Sequence, residues 1–273
     1  MSERFQRQSF LGANSEALLQ GLRVSVVGYG GGGSHIGQQI AHVGVGHVSV
    51  FDHDTIEDTN LNRLVGGTAQ DVADERKKVE IAARVIKGVR PEAQVAPIDQ
   101  RWHEAPHVLA GSHVVLGAVD TFAERLQLEA YCRRHLIPYI DIGMDVVGSE
   151  ANFRIFGQVV LSSPGKPCLR CMGLITDKAL AEEERARQYG DAGSKPQVVW
   201  PNGVLASTAV GLLVQLVTPW HGFPITSAHL EYDGNLNTMQ PAPRLNLILK
   251  RGYACSHYSA EDVGDALYGM ALF

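Results

Sequence analysis

Short apolar runs alternate with helix-length stretches over the first half of the chain. The runs are rich in β-branched residues and predict strands at 24–27, 48–51, 95–98, 114–118 and 139–142. Apolar residues near helical spacing predict a helix over 70–88, and a further helix is predicted over 121–135. Strands that alternate with helices imply a Rossmann-like α/β fold, in which a mainly parallel sheet has helices on both faces.

The pattern changes after about residue 150. The next segments are predicted to be two strands that pair with each other (152–156 and 158–161), a charged helix (178–189) and a loop (190–203). An apolar helix (203–219) and two final strands (229–232 and 245–249) are predicted to follow. We expect one domain, residues 1–273, in which a nucleotide-binding half (1–150) is extended by a second half (151–273) with additional antiparallel strands.

Composition narrows the classes of function. Hydrophobic residues make up 45% and charged residues 19% of the chain, which is typical of a soluble globular protein. The net charge of −5 argues against a nucleic-acid partner, because phosphate binding needs clustered Lys and Arg. The N-terminus is polar, and the long apolar stretch contains Ser207, Thr208 and Gln215, so neither a signal peptide nor a membrane partner is expected. Four cysteines make no secreted disulfide framework, and we expect a cytoplasmic protein with reduced thiols.

A glycine-rich turn follows the first predicted strand and precedes a helix-length stretch. It reads Gly28-Tyr29-Gly30-Gly31-Gly32-Gly33, and Asp52 lies 19 residues beyond its end. Glycines in this position let the backbone approach a phosphate, while an acid at this distance is typical of ribose binding. We therefore predict a nucleotide site at Gly28, Gly30, Gly31, Gly33 and Asp52. The turn alone does not distinguish NAD, FAD and ATP.

Charged residues beyond Asp52 favour ATP. Asp54, Asn60, Arg63 and Lys78 follow within a short stretch of chain. Cations that converge on a glycine turn suit a triphosphate, whose negative charge shifts when phosphorus is attacked, whereas a nicotinamide needs a flat apolar slot. Asp120 ends a predicted strand at the edge of the sheet where ligands bind, and a carboxylate there can hold Mg²⁺.

These motifs together resemble the ThiF/MoeB-type adenylyltransferases of the ubiquitin-activating-enzyme-like family. The matching pieces run through most of the chain: Arg4-Phe5-Gln6-Arg7-Gln8, the glycine turn, residues 52–54, 60–63 and 78–80, Asp120, and Pro167-Cys168-Leu169-Arg170-Cys171. The resemblance implies an enzyme that uses ATP and Mg²⁺ to adenylate the C-terminal glycine of a ubiquitin-fold protein or peptide, with release of pyrophosphate.

The resemblance also implies roles for individual residues. Asp52 binds the ribose, while Asn60, Arg63 and Lys78 contact the phosphates. Asp120 holds the magnesium, and Arg7 reaches the ATP of the partner subunit in a homodimer. Arg7, Arg63, Lys78 and Asp120 are therefore the expected catalytic residues. No general base is needed, because a C-terminal carboxylate is already ionised at neutral pH.

The cysteines indicate a metal site. Cys168 and Cys171 form a CxxC pair, which in a cytosolic chain indicates either zinc or redox chemistry, and no thioredoxin-like pattern surrounds it. The family supplies two more zinc ligands from a second CxxC near the C-terminus. This chain departs from that pattern with Cys255 and His257, so the expected Zn²⁺ site has three cysteines and a histidine, unless His257 is a bystander.

The remaining cysteine, Cys132, is interpreted as a buried apolar residue. The loop before the apolar helix contains no cysteine, so we expect no thioester on the enzyme itself. Two alternatives are a Rossmann-type NAD or FAD oxidoreductase and a non-catalytic nucleotide-binding scaffold. A dehydratase that acts on a tRNA nucleoside also occurs in the family, but the absence of a basic patch argues against it.

Overall fold

A single eight-stranded sheet runs through the computed structural model of the chain. The structure describes residues 3–149, 152–188, 196–223, 225, 227–251 and 255–258. The strands are β1 (Arg23–Val27), β2 (His47–Phe51), β3 (Gln94–Ile98), β4 (Val114–Gly117), β5 (Tyr139–Val147), β6 (Arg154–Ser162), β7 (Ala228–Asp233) and β8 (Thr238–Pro241). Their order in the sheet is β3-β2-β1-β4-β5-β6-β7-β8.

Helices flank the sheet and connect its strands. They are α1 (Ser15–Gly21), α2 (Gly31–Val43), α3 (Ala69–Ala73), α4 (Lys78–Val89), α5 (Pro106–Ala110), α6 (Phe122–Arg134), α7 (Asp177–Gln188), α8 (Val199–Val217) and α9 (Pro243–Lys250). In the described part of the chain, 3₁₀ helices lie at Glu3–Leu11, Asp58–Asn60 and Trp102–Glu104. Residue 189 of the predicted charged helix and residues 190–195 of the predicted loop after it lie outside the described residues.

The first five strands are parallel, as the alternating pattern predicts. β1 pairs with β2 and β4, β2 with β3, and β4 with β5. The side chains of β4 are buried throughout, which is typical of a strand covered on both faces. The predicted α/β fold with a mainly parallel sheet is therefore confirmed.

The last strands are antiparallel, but their pairing differs from the prediction. Segments 152–156 and 158–161 do not pair with each other; they form one strand, β6, which pairs with β5 over Tyr139↔Ser162 to Val147↔Arg154. Gly157, the residue between the two predicted segments, lies within this strand, where a Cβ would come 2.7 Å from Leu205 Cδ1 and 2.8 Å from the Gly143 carbonyl oxygen. This glycine permits close packing instead of a turn.

Two other predicted elements are wrong. Segment 245–249 is not a strand but part of α9, in which Leu245 is buried while Leu247 and Leu249 are 58% and 47% exposed. The alternation of leucines at 245, 247 and 249 predicted a strand, whereas Pro243 in the first helical turn favours a helix. The helix predicted over 70–88 is divided into α3 and α4, because Glu75 has a φ of 49° and Lys77 forms a β-bridge with Thr55.

The apolar helix α8 begins at Val199, earlier than predicted, and packs against α2, β5 and β6. Among the described residues, it is the one helix long and apolar enough to cross a membrane by length and composition. Half of its most apolar 18-residue stretch is buried inside the protein. Leu205, Ala209 and Leu213 belong to the main hydrophobic core.

Candidate functional site

A cavity of about 1160 Å³ opens at the carboxyl edge of the parallel strands. It lies beside β1 and β4, where the strand order reverses direction, and extends across the antiparallel strands to β8. Open α/β sheets bind ligands at such a reversal, because the loops after neighbouring strands diverge there and leave a crevice. We call the part near β1 and β2 the nucleotide end and the part near β6 to β8 the antiparallel end.

The structure brings most of the predicted nucleotide-site residues to this cavity. Its lining includes Gly28, Gly30, Gly31, Asp52, Asp54, Asn60, Arg63, Lys78 and Asp120. Two described residues from the prediction do not line it. Gly33 lies in the buried first turn of α2, and Arg7 is exposed in the N-terminal 3₁₀ helix.

The glycines of the turn do different things. Gly28 has a φ of 86°, and a Cβ there would meet the Ala118 carbonyl oxygen at 2.5 Å; a Cβ on Gly33 would meet the Gly28 carbonyl oxygen at 1.9 Å. These two glycines let β1, β4 and α2 come together. Gly30 instead has open space at its Cβ position and caps the N-terminus of α2. The backbone at Gly30 is thus accessible to an anion at a helix N-terminus.

Asp52 fixes the glycine turn to the end of β2. Its carboxylate accepts hydrogen bonds from the backbone N–H groups of Tyr29, at 2.6 Å, and Asp54, at 2.9 Å. Burial raises the pKa of Asp52, although the charge of Lys78 and these hydrogen bonds act in the opposite direction. Each carboxylate oxygen has a second lone pair, so Asp52 can still accept hydrogen bonds from ribose hydroxyls.

Lys78 is the buried cation of the nucleotide end. Its ammonium donates to the Asp54 carboxylate at 2.7 Å and lies 4.0 Å from Asp52. Burial opposes ionisation of Asp54, but the hydrogen bond and charge of Lys78 outweigh it, and the pKa of Asp54 is lowered. The pair holds the lysine at the start of α4, facing the cavity.

Arg63 and Asn60 enter the cavity from the segment after β2. The Arg63 guanidinium donates to the Thr59 carbonyl at 2.6 Å and to the Asn62 side chain at 3.0 Å. The Asn60 side chain accepts from the backbone N–H of Glu57 at 3.1 Å, which closes a short 3₁₀ turn. These local bonds orient a cation and an amide toward the glycine turn.

Asp120 lies between β4 and α6 and is exposed at the cavity wall. The next residue, Thr121, caps α6 by accepting from the Glu124 N–H at 3.2 Å. Glu183 of α7 accepts from the N–H groups of Phe122 and Ala123, at 2.8 and 3.0 Å. The helix start beside Asp120 is therefore fixed from two directions.

Arg125, which the sequence did not indicate, lines the cavity and joins the end of β4 to β5. Its guanidinium donates to Asp141 at 2.6 Å and to the Val119 carbonyl at 2.8 Å, and Tyr139 donates to the other oxygen of Asp141 at 2.7 Å. A buried cation paired in this way holds the backbone just before Asp120. No signal in the sequence links positions 125 and 141, because the pair depends on how α6 crosses the sheet.

Sequence reasoning also missed the polar wall of the antiparallel end. Residues in register on neighbouring strands point to the same face, so Gln158 lies beside Glu231, Phe156 beside Asp233, and His229 beside Val160. Together with Arg154 and Arg244 these side chains line the cavity, except for Val160. Alternating polar residues at 229, 231 and 233 were visible in the sequence, but their partners depend on the register.

The predicted metal ligands come together at one point. One ligand atom from each of Cys168, Cys171, Cys255 and His257 lies within 4.8 Å of the others. The Sγ atoms of Cys168 and Cys171 are 3.2 Å apart, and His257 Nδ1 lies 3.5 Å from Cys168 Sγ and 3.2 Å from Cys171 Sγ. Three sulfurs and one imidazole nitrogen at these separations fit the tetrahedral geometry that Zn²⁺ prefers.

A buried network holds two segments to α6: the turn that contains Cys168 and Cys171, called the cysteine turn, and residues 255–258, called the tail. The Glu129 carboxylate accepts from Ser162 Oγ at 2.5 Å, from the Leu169 N–H at 2.9 Å and from the Tyr258 hydroxyl at 3.2 Å. Arg133 donates to the Lys166 and Pro167 carbonyls at 2.9 and 3.0 Å. The segment before Cys168 and the residue after His257 are thus fixed to one helix.

Cys132 lies apart from this cluster in the core of α6. It is fully buried, and burial raises the pKa of its thiol well above the usual range. The thiolate is the nucleophilic form of cysteine, so a thiol in this environment is inert.

Comparisons with known proteins agree with the geometry. The family model described as "ThiF family" matches residues 4–248. The chain is 31% identical over 237 residues to the molybdopterin-synthase adenylyltransferase of Salmonella typhimurium, a match that covers 84% of this chain and 87% of that enzyme. It is 34% identical over 175 residues to the SAMP-activating enzyme E1 of Haloferax volcanii, covering 62% of this chain and 61% of that enzyme.

Solved structures agree on the fold. A crystal structure of E. coli MccB with ATP superposes with a TM-score of 0.72 at 20% identity, covering 89% of this chain and 71% of that chain. At this identity the likeness concerns the fold alone. The resemblance found in the sequence is confirmed by the family match, and an oxidoreductase is not favoured.

Proposed function

We propose that this chain, which belongs to the ThiF family, adenylates the C-terminal glycine carboxylate of a ubiquitin-fold protein or peptide with ATP and releases pyrophosphate. The observation that carries the proposal is the arrangement around one cavity of an open helix N-terminus at Gly30, the cations Arg63 and Lys78, and the carboxylates Asp52 and Asp120. The names of the relatives, an adenylyltransferase and a SAMP-activating enzyme, support the choice of reaction.

The residues of the nucleotide end suit this reaction. A substrate carboxylate oxygen attacks the α-phosphorus of ATP, a new P–O bond forms, and the bond to the bridging oxygen breaks so that pyrophosphate leaves with its electron pair. The main obstacle is repulsion between the carboxylate and the triphosphate, which Arg63, Lys78 and the α2 N-terminus reduce. Asp52 orients the ribose by accepting from its hydroxyls, and Asn60 contributes a further polar contact to the phosphates.

Asp120 would hold magnesium through its carboxylate. An exposed carboxylate oxygen at the cavity wall is the kind of ligand Mg²⁺ prefers, and the ion usually retains waters and substrate phosphates as its other ligands. When bound, the ion would neutralise charge that develops on the leaving pyrophosphate.

We further propose that Cys168, Cys171, Cys255 and His257 bind one structural Zn²⁺ per chain. Such an ion would fix the tail to the cysteine turn without taking part in the reaction. Elemental analysis should find about one zinc per chain in the wild type and less in a Cys171→Ser variant. A wild-type protein purified without chelators and free of zinc would contradict this proposal.

Residues 1–273 would form a single adenylation domain that acts as a cytoplasmic homodimer. Exposed apolar side chains support the dimer: Phe10 contacts Trp220 edge-to-face, and these two and Trp200 are about half exposed or more. Arg7 lies on the same short 3₁₀ helix as Phe10, so this surface can place Arg7 near a partner's cavity.

The test of the dimer is complementation between two inactive variants. Arg7→Ala and Asp120→Ala should each lose nearly all activity alone. Random mixing puts half of the chains in mixed dimers with one intact site of two, so the mixture should recover about a quarter of wild-type activity. No recovery in a mixture that does exchange subunits would show that Arg7 does not act across the interface.

We also propose that no thioester forms on the enzyme and that the acyl-adenylate passes directly to an acceptor. Three of the four cysteines belong to the metal cluster, and Cys132 is buried with a raised pKa. A non-reducing gel of enzyme, ATP and substrate should therefore show no reducible enzyme–substrate band. If a band appears and is lost in Cys132→Ala, that thiol is the acceptor after all.

ATP–pyrophosphate exchange tests the reaction itself. Exchange should depend on a ubiquitin-fold protein or peptide that ends in glycine, and intact mass should show addition of AMP to it. Bound nicotinamide or flavin absorbance with no exchange would favour the oxidoreductase instead. Nucleotide binding with neither signal would leave the non-catalytic scaffold.

A further inference from the structure

The antiparallel end of the cavity contains a buried side chain that the proposed reaction does not use. His229 lies on β7, lines the cavity and is 5% exposed. Neither ring nitrogen has a hydrogen-bond partner among the described residues, and a carboxylate oxygen of Glu231 lies 3.8 Å from Nε2, beyond hydrogen-bond distance. Buried polar side chains nearly always have partners, so an unpartnered imidazole at a cavity wall indicates a ligand group.

The surroundings of His229 define the chemistry of that group. Burial lowers the pKa of His229, the charge of Arg244 acts in the same direction, and Glu231 opposes them. The ring is therefore neutral near neutral pH and offers one N–H donor and one nitrogen acceptor. A peptide main chain offers the matching acceptor and donor in its C=O and N–H groups, whereas a neutral imidazole has no preference for a charged ligand.

The register of the sheet places His229 relative to the nucleotide end. Gly117 of β4 pairs with Asp141, Asp141 with Val160, and Val160 with His229, so three strand spacings separate β4 from His229. This is about 14 Å at the usual strand spacing. An extended chain covers that distance with about four residues.

We propose that His229 hydrogen-bonds to the main chain of the acyl substrate about four residues before its reacting carboxylate, so that the antiparallel end binds an extended peptide tail. This rests on the proposed function, because the tail must end at the nucleotide end of the same cavity. His229 then contributes to substrate affinity and takes no part in nucleotide binding, since Asp52 and Lys78 lie on the other side of β1 and β4.

Direct binding measurements test the proposal without turnover. The probes are the hexapeptide Ala-Ala-Ala-Ala-Gly-Gly and the dipeptide Gly-Gly, each added to the full chain with an ATP analogue whose α–β bridging oxygen is replaced by a methylene group. In protein labelled with ¹⁵N-histidine, the hexapeptide should shift the His229 ring resonances, and the dipeptide should not reach them.

Variants at position 229 give the matching affinities. His229→Leu should lower the affinity for the hexapeptide by about five- to tenfold, the usual effect of one lost hydrogen bond. The affinity for the ATP analogue should not change. His229→Gln, which keeps a donor and an acceptor, should recover most of the affinity. His42→Leu, at an exposed position of α2, is the control and should change neither.

Several results would overturn the proposal. They are a hexapeptide that does not bind or leaves His229 unshifted, equal affinity for both peptides, or a His229→Leu variant that loses the ATP analogue as strongly as the hexapeptide. Failure of the proposed function looks different. In that case the hexapeptide shifts His229, but no glycine-terminated protein or peptide supports pyrophosphate exchange.

Discussion

Two buried carboxylates that do not line the cavity, Asp71 and Glu129, each hold chain segments together, and their surroundings differ. Asp71 of α3, on the connection between β2 and α4, accepts from the Thr68 backbone and hydroxyl at 2.9 and 2.7 Å and from Arg84 at 2.7 Å. The Arg84 side chain is 46% exposed. The hydrogen bond from Arg84 is the main reason that the pKa of Asp71 is well below its usual range.

Glu129, near the proposed metal site, lies in a drier environment. It is fully buried, its ion-pair partner Arg133 is 1% exposed, and the two are 3.5 Å apart. Burial raises the pKa of Glu129, and Arg133, Ser162 and the Leu169 N–H only partly oppose it. Folding therefore favours the ionised form of a carboxyl whose cationic partner stays solvated. It disfavours the ionised form where both partners are buried.

This difference fixes the sign of each pH effect. A carboxyl whose pKa is lowered by folding stabilises the protein above its unfolded pKa, and the contribution is lost as pH falls through the folded pKa. A carboxyl whose pKa is raised has the opposite dependence, so its contribution is lost as pH rises through the folded pKa. Acid should therefore loosen the segment around Asp71 before the network around Glu129.

The largest expected effect is a loss of catalysis at the nucleotide end without a loss of stability. Asp120→Ala should lower pyrophosphate exchange by roughly a hundred- to a thousandfold, since a charge-stabilising group at the reacting phosphates is typically worth that much. The free energy of unfolding should change little, because Asp120 is exposed. Asp99→Ala is the control: this exposed carboxylate pairs with Lys77 at 3.2 Å, and its loss should leave exchange intact. Near wild-type exchange in Asp120→Ala would remove the magnesium assignment.

Substitution of Glu129 should have the opposite result, a loss of stability without a loss of ATP affinity. Glu129→Ala leaves Arg133 and the Leu169 N–H buried without their carboxylate, and removing one partner of a buried pair costs about 3–5 kcal/mol of unfolding free energy. Urea denaturation measures this loss, and the affinity for ATP in the folded protein should be unchanged. Glu184→Ala removes an exposed carboxylate paired with Arg187 at 3.0 Å and should leave the free energy of unfolding nearly unchanged. Equal losses in both variants would contradict the role given to the buried network.

Asp71→Asn tests the predicted sign of the pH dependence of stability around α3. Asparagine can keep the hydrogen bonds from Thr68 but loses the charge that faces Arg84, which should cost about 1–2 kcal/mol at neutral pH because the guanidinium is partly solvated. The difference between wild type and variant should shrink as pH falls below the unfolded pKa of about 3.9, because Asp71 of the unfolded chain then takes up a proton while the folded carboxyl stays ionised until its lower pKa. Urea denaturation over a pH series gives both values. A difference that stays constant into acid would show that the charge of Asp71 does not contribute.

Much of the nucleotide end could be predicted from the sequence because its geometry is nearly local. Asp52 directly follows β2 and Asp120 lies three residues beyond β4, and the carboxyl ends of parallel strands meet at one edge of the sheet. Asn60, Arg63 and Lys78 lie on the segment that leaves β2. Strand order alone, without side-chain detail, therefore brings these residues to one cavity.

The antiparallel end could not be predicted in the same way. His229 and Gln158 lie within strands, so their neighbours depend on a register that hydrophobic pattern does not determine when both faces carry mixed residues. Segment 245–249 alternates like a strand and yet is helical in α9, because the proline before it and the packing of Leu245 prevail over alternation. Arg125–Asp141 and Glu129–Ser162 likewise join elements whose crossing is visible only in the fold.

The smallest effect tests whether the tail belongs to the Glu129 network. Tyr258 donates to Glu129 Oε2 at 3.2 Å, and Arg133 lies 5.0 Å from the centre of its ring. Tyr258→Phe keeps the ring and its attraction for the guanidinium but removes the hydroxyl, so it should cost about 1 kcal/mol of unfolding free energy. Because Tyr258 follows His257, zinc bound at the proposed site should also be released faster to a chelator. The informative measurement is a double-mutant cycle with Glu129→Gln: if hydroxyl and carboxylate interact, the double variant should lose less than the sum of the single losses. Strictly additive losses would mean that the segment 255–258 is held by the cysteine cluster alone, and the comparison between Asp71 and Glu129 would then rest on Glu129, Arg133 and Ser162 without Tyr258.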